Sequence, residues 1–356
     1  LVKSRRWYIV GPSASISQFT PRSSKPAPLQ SCSAVTMGAP ETWVIVGASR
    51  GIGLEFVRQL LEQGNQVIAA VRNPETANGI WQLSAGAKQE ARPAACLIEQ
   101  CDVTDPKSID AFADRMKSLV SKGMKIDNIV LNAGILKYPN RATEISFDDF
   151  ALHLHTNTIG PIIAAQKLLN ISGDSPPSKV VFISSDSGST ADFREHEDGF
   201  AAYGASKAAL NQMLRHMAAE LKRKGGKWEN VCVLAMHPGE VQTDMANINV
   251  EWEVEGVIKP DESVEKMLKV IADRNKSQSG TFWRWDATPM EKVIPRRPRS
   301  ADAGRKEEYH RKSKMAYEYR TICGGRRYAT SLVSPMNGLT VLQQPRVPLN
   351  IVQYQG

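Results

Sequence analysis

From Trp43 onward the chain alternates short apolar runs with longer amphipathic stretches, and few folds accept such a sequence. Apolar runs stand at 43–46, 66–71, 95–100, 127–131, 179–185, 231–236 and 281–285. Between several of them, at 54–63, 106–120, 147–170, 203–222 and 263–272, apolar residues recur three and four apart. Uninterrupted apolar runs read as strands buried on both faces, and the intervening segments as crossover helices. The expectation is one α/β domain over 41–286, with a seven-stranded parallel sheet covered on both faces.

The first apolar run ends in Gly47-Ala-Ser-Arg-Gly51-Ile-Gly53, directly before the first helical segment. Glycines there let the backbone approach a pyrophosphate, and a helix N-terminus offers free N–H groups and the positive end of its dipole. A tight strand–helix turn without a ligand is the plainer alternative. Three glycines after the first strand of a repeated β/α pattern favour phosphate binding.

The net charge of +8 invites a nucleic-acid reading, but its distribution opposes one. Residues 1–40 carry five basic side chains and no acid, and residues 287–356 carry thirteen basic and five acidic. The stretch between is net acidic, so the excess base sits in the flanks and no nucleic acid is expected to bind the core. No run approaches the length of a membrane span. The five cysteines are odd in number and lack metal-ligand spacing, which suits a reducing compartment and predicts no bound metal.

Residues 1–40 are rich in Ser and Pro and have no continuous apolar core, so they are not a secretory signal. Two readings stand: a disordered leader or translated upstream sequence, with Met37 before the first strand, or an organellar transit peptide. The first places the protein in the cytoplasm, the second in a plastid or mitochondrion. Residues 287–356 lose the periodicity and read as a basic, disordered tail.

Tyr203-Gly-Ala-Ser-Lys207 places a phenol and an ammonium one helical turn apart on one face. A phenol titrates near pH 10 and is idle at neutral pH; a nearby ammonium favours phenolate and lowers that pKa. The spacing predicts an acid/base pair. Upstream stand Asn132-Ala133-Gly134, Asn157 and Ser185, and downstream Pro238-Gly239.

Taken in this order, the glycine turn, Asn132-Ala-Gly134, Ser185, Tyr203-x-x-x-Lys207 and Pro238-Gly239 closely resemble the short-chain dehydrogenase/reductase family, over about 41–286. Gly280–Asp286 is similar to the closing strand of sniffer-type carbonyl reductases and C-factor-like proteins. Val46 stands where the family usually has Thr, and Leu131 replaces an Asn; each loses a supporting polar contact rather than a reactive group. The resemblance implies a Rossmann-like doubly wound fold and an NADPH-dependent carbonyl reductase acting on a ketone, aldehyde or secondary alcohol. Tyr203 matches the general acid/base, Lys207 the lysine that lowers its pKa and holds the nicotinamide ribose, Ser185 the serine on the substrate oxygen, and Asn157 the asparagine that holds a water. The cofactor would meet Gly47, Ser49, Arg50, Gly51, Ile52 and Gly53 in the turn, and Asp102 and Val103 after the third strand. It would also meet Asn132, Ala133 and Gly134 after the fourth, and Pro238, Gly239, Val241 and Thr243 over the nicotinamide. Relatives are commonly dimers or tetramers through the helix of Tyr203 and its neighbour. C-factor-like relatives imply an alternative class, a signalling protein that senses the dinucleotide without turnover.

Dinucleotide sites selective for NAD carry an acid at the end of the second strand, to bind the ribose 2′-hydroxyl. Here that strand ends Ala69-Ala-Val-Arg72-Asn73, with no acid before Glu75. Arg72, with Arg50 opposite, is expected to face a 2′-phosphate and select NADP(H). The separation of Ser185 from Tyr203 is longer than most relatives have, and the charged segment Phe193–Asp198 is expected at the rim of the site. An apolar lid is expected over 240–257, with Met245, Trp252 and Val254.

Overall fold

The computed structural model describes residues 39–89, 95–250 and 252–290. The expectations for the leader and for nearly all of the basic tail lie outside the described residues. Seven strands form one sheet: β1 (Thr42–Val46), β2 (Gln66–Val71), β3 (Cys96–Gln100), β4 (Asn128–Leu131), β5 (Lys179–Ile183), β6 (Cys232–His237) and β7 (Thr281–Arg284). Their order is β3-β2-β1-β4-β5-β6-β7, and every neighbouring pair is parallel. This is the doubly wound Rossmann-like arrangement that the alternating pattern requires.

The strands at the centre are apolar throughout because both faces are covered. Val44 and Val46 meet one core layer and Ile45 the other, as the two-residue period of a strand dictates. On the first face pack α3 (Pro106–Ser121), α5 (Gly160–Ile171) and α6 (Ala201–Lys224), through Phe112, Met116, Leu168, Leu210 and Leu214. On the second pack α1 (Gly51–Glu62), α2 (Asn78–Gln89) and α7 (Pro260–Asp273), through Phe56, Leu60, Ile80, Val264 and Met267. Each such side chain, fully buried, contributes about 1.5–3 kcal/mol.

Three elements differ from the sequence expectation. The crossover between β2 and β3 contains α2, which was not foreseen. Two glycines and several polar residues weaken its pattern; Gly79 packs against the end of the Leu54 side chain, 2.8 Å from where a Cβ would stand. The single helix expected over 147–170 is α4 (Phe147–Leu154), a π-helical turn (His155–Ile159) and α5. Just after that turn the chain passes close to Val103: a Cβ on Gly160 would lie 2.0 Å from the Val103 carbonyl oxygen, so only glycine fits there. Finally, β5 stops at Ile183, so Ser184 and Ser185 lie just past the strand. Among the described residues no helix is long and apolar enough to cross a membrane.

The order of strands reverses at β1 and β4, which run side by side while their successors leave in opposite directions. In such sheets the crevice outside the carboxyl ends of these strands is where ligands bind. The glycine turn follows β1, and Asn132-Ala133-Gly134 follows β4.

Candidate active site

The two turns at the switch point are built against each other. Asn132 Nδ2 donates to the Gly47 carbonyl at 2.8 Å, and the Ala133 N–H donates to Val46 O at 2.9 Å. Gly47 has φ +90°, and a Cβ there would lie 2.5 Å from the Ala133 nitrogen. No side chain fits at this position. Gly53 is equally confined, since its Cβ would lie 2.1 Å from the Gly47 carbonyl oxygen. Helix α1 starts with no side-chain cap from Arg50 and no acid in its first turn. Its N-terminus is therefore left suited to an anion. Thr243 borders the same region, with its Cγ2 3.3 Å from a Cβ position on Gly51, whereas Val103 packs against Gly160. Ser49 and Ile52 lie in the turn itself, and Val241 is buried and bridges Ile258. Pro238 is tied down by Ser263 Oγ, which donates to its carbonyl at 2.6 Å. Gly239 has φ +85° and admits Trp285, whose Nε1 would lie 2.6 Å from a Cβ there.

Arg50 and Arg72 are both exposed. Arg50 Nη1 pairs with Asp244 Oδ2 at 3.2 Å, with both side chains about three-quarters exposed (73% and 76%). A pair this open contributes little and exchanges readily for a phosphate. Asp102 turns its carboxylate inward on its own loop, accepting from the Thr104 N–H at 2.9 Å and hydroxyl at 2.7 Å. The glycine-rich turn, the anion-suited helix end, exposed Arg50 in the turn and Arg72 at an acid-free strand end fit a phosphorylated dinucleotide.

Tyr203 lies in the first turn of α6, and its helix is started from a distance. Phe200 precedes the helix without a side-chain cap. Instead Asn140 Oδ1, from the loop after β4, accepts from the N–H of Ala202 at 2.7 Å and of Tyr203 at 3.1 Å. Ser206 links α6 to the π-helical turn: its hydroxyl donates to Tyr203 O at 2.7 Å and accepts from Asn157 Nδ2 at 2.9 Å. The Asn157 amide is fully buried and also exchanges bonds with the Ile135 backbone, accepting at 2.7 Å and donating at 2.9 Å. A Cβ placed on Gly134 would lie 3.4 Å from Asn157 Oδ1 and 3.6 Å from Lys207 Nζ, so both groups border one spot. The expected four are brought together: Ser185 is close enough to act on the Tyr203 phenol, and Lys207 Nζ lies 5.7 Å from the Tyr203 ring centre.

The electrostatics differ from the expectation for the phenol. Burial pushes Tyr203 well above its ordinary value; Ser185 opposes this, and the charges of Asp186 and Glu240 add to it. Lys207 does not offset these effects because it is itself buried, which lowers it to about 8. Its Nζ donates to the Ile183 carbonyl at 2.9 Å. The site thus holds its tyrosine firmly protonated.

Beside Ser185 lies a charged cluster that the sequence pattern did not disclose. Asp186 accepts from the Ser185 hydroxyl at 3.1 Å, and Arg194 Nη2 lies 3.0 Å from its other oxygen. His237 Nε2 lies 3.7 Å from the same oxygen, buried at the end of β6. Donor atoms of Asp186, His237 and Glu240 fall within 4.8 Å of one another. Asn140 and Ser206 were missed as well. Ser206 sits inside the Tyr–Lys motif, whereas nothing local marks Asn140.

The insertion packs at the rim, as expected. His196 and Phe200 meet Trp252 of the lid, with ring centres 5.2 and 6.1 Å apart. Met245 and Val254 are instead exposed. A 440 Å³ cavity lies beside the Ser185–Tyr203 cluster rather than at it, walled by Ser187, Phe193, Arg194, Gly204, Ala205 and Ala208.

Residues 41–254 match the model of a protein family described as short chain dehydrogenase. An uncharacterized oxidoreductase of Schizosaccharomyces pombe is 32% identical, covering 72% of this chain and 98% of its own. The crystal structure of an NADPH-bound carbonyl reductase from chicken fatty liver superposes with a TM-score of 0.62 at 30% identity, covering 71% of this chain and 99% of that one. The carbonyl reductase Sniffer of D. melanogaster shares the fold with a TM-score of 0.59 at 24% identity, covering 70% of this chain and 99% of that one.

Proposed function

Since the chain belongs to the short-chain dehydrogenase family, we propose that it is an NADPH-dependent carbonyl reductase in which Tyr203 is the general acid. The observation that carries this reading is the meeting of Ser185, Tyr203, Lys207 and Asn157 beside the glycine turn at the switch point. The NADPH bound by the chicken carbonyl reductase supports the cofactor. When bound, NADPH supplies the hydride.

The residues of this chain do the rest. Gly47, Ser49, Gly51, Ile52 and Gly53 leave room for the pyrophosphate, and the start of α1 receives its charge. Arg50 and Arg72 bind the 2′-phosphate. Asp102, Val103, Asn132, Ala133 and Gly134 line the adenosine side, and Pro238, Gly239, Val241 and Thr243 the nicotinamide side. Ser185 donates a hydrogen bond to the substrate oxygen. Tyr203, held protonated by its burial, delivers a proton to that oxygen as it gains alkoxide character. Lys207 lies near neutrality and re-supplies the phenol, with Asn157 bordering the same spot. Buried Cys101 and Cys232, both free thiols, suit the reducing cytoplasm proposed here.

Purified protein should consume NADPH, followed at 340 nm, in the presence of at least one of 4-nitrobenzaldehyde, 9,10-phenanthrenequinone and a panel of ketones. Tight NADPH binding with no turnover on the whole panel would contradict the reading and favour a sensing role.

A further inference from the structure

The insertion between Ser185 and Tyr203 sends one side chain back into the candidate site. Arg194 Nη2 lies 3.0 Å from Asp186 Oδ2 and 2.7 Å from Glu197 Oε1. Asp186 Oδ1 accepts from the Ser187 N–H at 2.9 Å and from the Ser185 hydroxyl at 3.1 Å. One carboxylate thus holds the catalytic serine through one oxygen and the insertion through the other. We propose that Asp186 and Arg194 are a positioning pair that sets where Ser185 directs its proton and how readily Tyr203 gives up its own. This rests on the roles assigned above to Ser185 and Tyr203.

Ser185 has a single hydroxyl proton to give. An ionised carboxylate is a stronger acceptor than a carbonyl oxygen, so Asp186 alone would compete with the substrate for it. Arg194 and the Ser187 N–H engage the carboxylate and weaken that hold. The pair also acts through space: the negative charge of Asp186 disfavours phenolate at Tyr203, and Arg194 offsets it.

The other groups facing Asp186 do not replace Arg194. Glu197 on the insertion and Glu240 after β6 are acids, and burial raises Glu240. His237, at the end of β6, is lowered by burial and is neutral around pH 7. Arg284 at the end of β7 and Asp286 beyond it act on His237 with opposite signs. The insertion therefore supplies a cation in direct contact with the catalytic loop.

The test is a charge cycle on the full chain, with 4-nitrobenzaldehyde and NADPH as probes. Arg194→Met should lower kcat about 3- to 10-fold and move the alkaline limb of its pH profile up by about half a unit to one unit. Lys207, at about 8, enters that limb before Tyr203, and the same charge shifts both in the same direction. Asp186→Asn should move that limb the opposite way by a similar amount. The double variant should return it towards the unmodified position, and Arg194→Lys should leave it near there. A role confined to folding of the insertion predicts that both single variants lose activity with the limb unmoved, and that result would overturn the proposal.

A reading independent of turnover comes from the free protein, labelled with 13Cζ-tyrosine and assigned with Tyr203→Phe. The Tyr203 resonance should ionise at lower pH in Asp186→Asn and at higher pH in Arg194→Met. Identical titrations in the variants would overturn the pair. No turnover by the unmodified protein, together with opposed shifts of this resonance, would instead reject the reductase reading and leave the pair standing.

Discussion

Lys207 is buried where its charge is disfavoured, and this has a measurable consequence. Its pKa is lowered from 10.5 to about 8 by desolvation. Between those two values the unfolded chain holds a proton that the folded protein does not, so stability rises with pH across the window. The full shift corresponds to about 3 kcal/mol. Denaturant unfolding at pH 7.5 to 10 should show this rise in the unmodified protein and lose it in Lys207→Met; parallel curves would contradict the assignment. Arg72 carries a second prediction. If it contacts a 2′-phosphate, kcat/KM should favour NADPH over NADH by about 10-fold or more, and Arg72→Asp should cut or reverse that preference. Equal use of both cofactors by the unmodified protein would show that the end of β2 has been misread.

The glycine turn is the element on which the cofactor reading depends. Gly47 combines φ +90° with a Cβ position 2.5 Å from a backbone nitrogen, so strain and collision act together. Gly47→Ala should destabilise the protein by about 2–4 kcal/mol and weaken NADPH binding, measured by denaturant midpoint and fluorescence titration. Unchanged values in both would mean that the turns after β1 and β4 do not meet as described. This turn was legible in the sequence because three glycines stand together between the first apolar run and the first amphipathic segment, although what confines Gly47 is Ala133 of the turn after β4. So were the strands, whose apolar character follows from burial on both faces. Helix α2 was not legible, because two glycines and several polar residues dilute its apolar period. Nor was the π-helical turn, since its residues carry no local signal that separates it from α-helix. The residues of the Tyr–Lys motif were legible, but the phenol's raised pKa was not. It arises from burial and from Asp186 and Glu240, which the fold brings in from the ends of β5 and β6.

At the scale of the molecule, the sheet order collects these parts on one edge. The turns after β1 and β4, the serine after β5, Tyr203 on α6 and the loop after β6 all follow the carboxyl ends of neighbouring strands or face them. Elements distant in sequence thereby contribute single side chains to one crevice, while the two core layers behind it hold the backbone in place. The central claim is that this crevice transfers a proton through Tyr203. The most direct measurement compares NADPH-dependent reduction of 4-nitrobenzaldehyde or 9,10-phenanthrenequinone by the unmodified protein and Tyr203→Phe, with NADPH affinity measured on both. The account predicts a loss of kcat of about 100-fold or more, with affinity for NADPH changed by less than about 3-fold. A Tyr203→Phe protein that binds NADPH normally and still turns over within a few-fold of the unmodified rate would contradict it.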